Sequence, residues 1–333
     1  MVFVREHIKN HPKAGWQDVV KLCYQASFGA EHVMADVSAA EAYFNLEYFQ
    51  LNAGDPPLFE MISEDVCRVD MRAWKGEGLF GEWLFKLFVL SCNVCADGEA
   101  RFCRYMEQVK EEYPHMAADI DNYMAGGIRP LHHSDAYREE YEPHYRIIRS
   151  DLIRIIPVLM EIRLRNAKVI AIDGDAASGK TTMAEALSFV LGAGQVPLDD
   201  FFLPPALRTA ERLSEPGGNV HYERFACEVL PYLRDRKEFS YSVFDCSVMD
   251  INGRRAVDAS SCVIVEGSYS HHPYFGSYAD LKVFSQVDAE TQMERIIARN
   301  GEEMAEAFRN RWIPMEKKYF REREVAEKAH IVV

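Results

Sequence analysis

Gly174-Asp175-Ala176-Ala177-Ser178-Gly179-Lys180-Thr181, followed by Thr182, has the spacing G-x-x-x-x-G-K-T. A turn of this length points successive backbone N–H groups inward, and glycines at both ends let phosphate oxygens approach without Cβ collisions. Lys180 then reaches the β- and γ-phosphates of a nucleoside triphosphate, and the Thr181 hydroxyl ligates Mg²⁺. Asp199 and Asp200, in LDDFF, supply carboxylates able to take the proton of an attacking hydroxyl. Glu266 closes the apolar run CVIVE, where a carboxylate can hold Mg²⁺ or its waters. Arg295, Arg299, Arg309 and Arg311 are suited either to a lid that neutralises charge on a transferred phosphoryl group or to a solvated helix face.

These groups need a scaffold that brings them to one edge. Residues 169–172 are apolar and rich in β-branched side chains, so they read as a buried strand leading into the loop. Met183, Leu187, Val190 and Leu191 then fall at helical spacing, and Gly192 is placed to end the helix. The helix N-terminus adds its partial positive charge at the phosphates. Further strands are expected at 195–198, 262–265, 281–285 and 329–333, alternating with helices, which implies a parallel sheet covered on both faces. Ligands in such sheets sit beyond the strand C-termini, where Asp199 and Glu266 fall.

Residues 1 to about 165 show no such series and read as helices. Trp16, Val19, Val20, Cys23 and Ser27 trace one face, and Ser38-Ala39-Ala40-Glu41 has a capping-box pattern opening a helix towards Leu51. Further helices are expected over 79–94, along Phe102, Tyr105, Met106 and Val109, and over 116–124, while 62–74 fits helix or strand equally. A long helix over 145–165, irregular at Pro157, would lead to a boundary near Asn166. The domains are thus 1–166, mainly α-helical, and 167–333. His132, His133 and His144 crowd one segment without metal-ligand spacing, so a polar structural role is expected for them and for His32.

The chain has 333 residues, 48% of them hydrophobic and 27% charged, with a formal charge of −14. That composition describes a globular protein and argues against general nucleic-acid or anionic-membrane binding. The N-terminal residues lack a signal-peptide core, so a cytoplasmic location is expected, and a homo-oligomer is compatible with the sequence. The eight cysteines read as reduced thiols, and the lone C-x-x-C of Cys92 and Cys95 as packing.

GDAASGKTT, LDDFF, EPGGNVHYERF, VIVEGSYS, RNRWIPMEKKYF and AHIVV together resemble the uridine kinase-like branch of phosphate-loop kinases, over about residues 167–333. That branch includes nicotinamide riboside kinase, pantothenate kinase and phosphoribulokinase. The resemblance implies an α/β phosphate-loop NTPase fold with sheet order 2-3-1-4-5 and a lid between the last helices. It implies ATP and Mg²⁺ as cofactors, a small-molecule alcohol as acceptor, and Asp199 as catalytic base. Asp200, His221, Tyr222 and Arg224 become candidate acceptor contacts. His221 stands where uridine kinases carry an Asp for the sugar hydroxyls, and an imidazole cannot accept two hydrogen bonds from a diol. Two other readings compete with the kinase: a nucleotide-dependent regulatory ATPase whose helical half binds a protein, and a bifunctional chain with separate chemistry in the histidine-rich half.

Overall fold

Apolar residues recur at helical spacing in the first part of the chain and as short β-branched runs in the second, and the structure separates along that line. The computed structural model describes residues 1–30, 36–92 and 97–333. These form two compact units, Met1–Ile153 and Arg154–Val333. His32 and Cys95, and with Cys95 the C-x-x-C pair, lie outside the described residues.

The first unit contains α1 (Val2–Asn10), α2 (Trp16–Phe28), α3 (Val37–Gln50), β1 (Phe59–Met61), β2 (Val66–Asp70), α4 (Met71–Gly76), α5 (Gly81–Leu90), α6 (Gly98–Glu112), α7 (Ala117–Ala125), α8 (Asp135–Tyr141) and β3 (Tyr145–Arg149). Val19, Leu22 and Cys23 of α2 bury against Phe102, Met106 and Val109 of α6 and Ile120 of α7. Their three- and four-residue spacing lays one apolar stripe along each helix. The unit is not purely helical: β1, β2 and β3 form an antiparallel sheet, with Cys67 opposite Ile148. The expected helix over 145–165 is therefore three elements. Tyr145–Arg149 pairs with β2, Ser150–Ile155 is a 3₁₀ turn, and the helix begins only at Ile156. Pro157 sits in the first turn of that helix, where its missing N–H costs nothing, so it starts the element and does not interrupt it. Likewise the cap of α3 is Asp36, which accepts from the Ala39 amide at 2.9 Å, and not Ser38.

The second unit contains α9 (Ile156–Arg165), β4 (Val169–Gly174), α10 (Lys180–Leu191), β5 (Gly194–Pro197), α11 (Ala210–Ser214), α12 (Tyr222–Glu228), β6 (Phe239–Asp245), β7 (Asp250–Val257), β8 (Val263–Glu266), β9 (Leu281–Ser285), α13 (Ala289–Ala307), α14 (Ile313–Arg323) and β10 (Ile331–Val332). Because α9 packs on β9, the division falls before this helix and not at Asn166. The order across the parallel sheet is β5-β8-β4-β9-β10, or 2-3-1-4-5 when its own strands are numbered along the chain. Every residue of β4 is buried, as expected of a central strand covered on both faces. A hairpin of β6 and β7, which the sequence reading does not contain, lies outside this sheet. No helix among the described residues is long and apolar enough to cross a membrane.

Candidate active site

The loop between β4 and α10 depends on two glycines for its shape. Gly174 has φ 139°, and a Cβ there would fall 2.0 Å from the Ser285 carbonyl oxygen of β9. Gly179 has φ 89° and turns the chain into α10, while Ala177 tolerates φ 56° between them. The outer side of the loop is clamped. Val287 N–H donates to the Asp175 carboxylate (3.2 Å), Gln292 Nε2 to the Ala176 carbonyl (2.9 Å), Arg295 Nη1 to the Ala177 carbonyl (3.2 Å) and Arg154 Nη1 to the Ser178 carbonyl (2.7 Å). The amides of Gly174, Asp175, Ala176 and Ser178 are themselves engaged, by Asp173, Ser285, Glu316 and Asp175, so the amides that face an anion are those of Ala177 and of the turn from Gly179 into α10.

Lys180 is buried at the start of α10 and donates to the carbonyls of Gly174 (2.9 Å) and Asp175 (2.7 Å). Thr181 Oγ1 faces Glu266 at the end of β8, 3.3 and 3.5 Å from its two oxygens. A hydroxyl on the first turn of α10 beside a carboxylate at the end of β8 is a donor set that fits Mg²⁺ bound through oxygen and water. Burial pushes the Glu266 carboxyl up to about 7, with the neighbouring Asp199 raising it further and Lys180 and Thr181 opposing. Asp199 follows β5 and is open to solvent, yet the protein packed round it raises its carboxyl, against the pull of Lys180. Accessible to water but walled by protein, it has the setting of an acid in a cleft, its carboxyl held above the ordinary range. Thr182 is exposed on the first turn of α10.

Not every candidate faces this cleft. Asp200 is buried, accepting from Tyr241 OH of β6 at 2.7 Å and pairing with Arg255 of β7 at 3.0 Å, so it fastens the hairpin. Arg224 is also consumed: its guanidinium donates to the carbonyls of Asp200 and Ser242 and lies 4.2 Å over the Phe201 ring. Two of its five N–H donors are so engaged, and the buried Nε has no hydrogen-bond partner among the described residues. His221 caps α12, its Nδ1 accepting from the Arg224 amide at 3.4 Å and lying 3.2 Å from Glu223. Tyr222 stacks on His272 and Tyr274 beneath Arg212, whose guanidinium is 3.6 Å from the ring centre. Of the arginines, Arg295 holds the loop from outside. Arg299 lies close enough to favour the ionised form of Asp199. Arg309 and Arg311 are exposed on a π-helical stretch, Phe308–Trp312, beyond a break at Gly301 in α13.

No family model matches this chain, and no curated protein matches it. It is similar in structure to a "possible uridine kinase" from Bacillus stearothermophilus, with 21% identity and a TM-score of 0.38 over 50% of this chain and 87% of that one. It is also similar to a "putative fructose transport system kinase" from Silicibacter sp. TM1040, with 18% identity and a TM-score of 0.41 over 50% of this chain and 89% of that one.

Two buried acids escaped the sequence reading. Asp173 in β4 accepts from the amides of Gly174 (2.8 Å), Tyr269 (3.1 Å) and His271 (2.9 Å) and from Tyr319 OH (3.0 Å). Glu316 in α14 accepts from the Ala176 amide (3.1 Å) and from Ser268 Oγ (2.6 Å). Each carried a signal: an acid inside the apolar run VIAIDG, and an acid three residues from Ile313 and Tyr319 on the buried face of a helix.

Proposed function

We propose that the second unit is an ATP-dependent kinase that phosphorylates a hydroxyl of a small molecule, with Mg²⁺ as its metal. The observation that carries this reading is the convergence of Lys180, Thr181, Glu266 and the accessible Asp199 on the C-terminal edge of one parallel sheet, around an outwardly clamped phosphate loop. Thr181 and Glu266 would hold the metal, which when bound would supply positive charge to offset that of the phosphates. Lys180 would leave the loop carbonyls for the γ-phosphoryl oxygens, where its charge counts most in the transition state. Asp199 would take the proton of the acceptor hydroxyl. A carboxyl raised by its surroundings is a better proton acceptor than an ordinary one, provided it is ionised at the working pH. Arg299, Arg309 and Arg311 would close over the transferred group. His221 and Tyr222 stay in the reading as acceptor contacts, and a nucleoside or related alcohol is the acceptor class.

ADP release measured against a panel of nucleosides, sugars and vitamin alcohols tests this directly. A kinase shows release that depends on one class of alcohol. Release at the same rate with no alcohol present would replace the kinase by a nucleotide hydrolase. His221→Asp should shift kcat/KM towards ribose acceptors over deoxyribose ones, and an unchanged ratio would remove His221 from the acceptor site.

A further inference from the structure

His7 and His11 lie one helical turn apart at the end of α1, so both rings project from the same face. Glu60, in β1, meets them there. One ring nitrogen from each histidine and one Glu60 oxygen all lie within 4.8 Å of one another. We propose that His7, His11 and Glu60 bind a borderline divalent cation, Zn²⁺ being the best match. The site is separate from the phosphate loop and gives the first unit chemistry of its own.

The donor set selects the ion. Two imidazoles and one carboxylate suit Zn²⁺, Co²⁺ or Ni²⁺, whereas Mg²⁺ and Ca²⁺ prefer oxygen throughout. Ligand bonds of about 2.0 to 2.2 Å around a tetrahedral ion place donor atoms roughly 3.3 Å apart. His7 Nδ1 and Glu60 Oε1 are already 3.0 Å apart, so a bound ion would take the place of the hydrogen between them, with the ring proton carried on Nε2. His11 Nδ1 lies 3.0 Å from the His7 carbonyl oxygen, so the neutral ring donates there and keeps its lone pair on Nε2. A backbone carbonyl behind the imidazole is a usual partner of a metal-bound histidine, because it fixes both tautomer and ring direction.

Arg68 is the group that could repel a cation. Its Nη1 is 3.4 Å from Glu60 Oε2, leaving Oε1 towards the imidazoles. The guanidinium is also anchored elsewhere, by Gln25 Oε1 at 3.0 and 2.7 Å and by the Tyr145 ring 4.5 Å away.

Access exists from one side. His7 is 1% exposed, and its Nε2 has no hydrogen-bond partner among the described residues. The Glu60 side chain is 37% exposed, and His11 is partly exposed. Tyr137 lies against both imidazoles, at centroid distances of 5.8 and 5.3 Å, and Tyr141 meets His11 edge-on at 4.7 Å. Three protein ligands leave the fourth position of a tetrahedral ion to water, the pattern of an open site and not of a closed structural one.

The test is titration of the chelator-treated full chain with ZnCl₂, in excess MgCl₂ to keep hard-ion sites filled, followed by CoCl₂ as a spectroscopic probe. The expected result is one Zn²⁺ per chain, with His11→Ala and Glu60→Gln each weakening binding at least about tenfold. Zn²⁺ should raise the Tm of the parent protein and not that of His11→Ala. His7 is buried and its replacement can unfold the unit, so the partly exposed His11 decides. Zn²⁺ binding to His11→Ala as tight as to the parent would overturn the proposal. So would a cobalt–thiolate charge-transfer band, which would assign the ion to exposed Cys227 or Cys246. Absence of stoichiometric binding by the parent would overturn it too.

Discussion

Asp18 in the first unit and the acids at the ends of β5 and β8 in the second are held in opposite ways. In the first, Asp18 accepts from His133 Nδ1 (2.9 Å), Ser134 N–H (3.0 Å), Ser134 Oγ (2.7 Å) and Gly15 N–H (3.0 Å), while His133 Nε2 meets Tyr145 OH (2.7 Å). Burial alone would raise the Asp18 carboxyl, but these donors bring it down to about 2. In the second unit, Glu266 and Asp199 are crowded by protein and have raised carboxyls, with Asp199 adding to the rise at Glu266 and Asp200 to that at Asp199. A buried acid surrounded by donors fastens a fold, and a raised acid short of donors at a strand end is poised for a ligand or a proton. The hydrogen bonds of His133 to Asp18 and Tyr145 accord with the polar structural role expected for the histidine-rich segment.

The comparison can be broken most severely at Lys180. Lys180→Ala should reduce phosphoryl transfer by three orders of magnitude or so while the circular dichroism spectrum and melting temperature stay near those of the parent. Near-normal turnover would remove the phosphate loop from the mechanism. Asp199→Asn should lower kcat by about 10² to 10⁴ with nucleotide affinity nearly unchanged, whereas Glu266→Gln should raise the Mg²⁺ concentration needed for half-maximal rate. If the metal defect followed Asp199→Asn instead, the two acids would have to exchange roles.

Stability measurements sharpen the same contrast, with opposite signs. Glu266 has a folded pKa of about 7 against an ordinary 4.5, so without metal the folded state binds the extra proton and loses stability as pH rises between those values. Glu266→Gln should therefore stabilise the metal-free protein by on the order of 3 kcal/mol at pH 8, and by little at pH 4.5. Chemical denaturation at the two pH values would show it, and equal gains at both would refute the charge argument. Asp18 is the reverse case. Its folded pKa of about 2 lies below an ordinary 3.8, so its contribution is present above pH 3.8 and fades as pH falls through 2. Asp18→Asn should cost about 2 kcal/mol at pH 7 and flatten that acid-side loss. A neutral effect at pH 7 would mean the donors are equally content with an amide.

Legibility in the sequence followed the distance over which a residue acts. The phosphate loop, the strand before it and Glu266 are local patterns, and the order in which strands alternate with helices was readable. The hairpin was not: in β7 only Val257 is buried, so no alternation of apolar and polar residues marks the strand. Arg224 and Asp200 are candidate acceptor contacts by resemblance alone, and no local pattern reveals the bonds that tie them to Ser242 and Tyr241 of β6. Residues 145–149 read as helix because Ile147 and Ile148 fit either period. Its pairing with β2, far earlier in the chain, decided the matter.

The clamped phosphate loop has a consequence for how the chain acquires its shape. Ala176 is held by Gln292, 116 residues later, and by Glu316, 140 residues later, and Asp173 is held by Tyr319 at a separation of 146. During synthesis the loop sequence therefore leaves the ribosome long before the residues that brace it. Contacts of such high sequence separation form late, because the intervening chain must be ordered first. A nascent chain ending before Gln292 would carry the complete nucleotide motif and still lack its braces, so capacity to bind nucleotide should arrive late in translation, all at once with the closing helices.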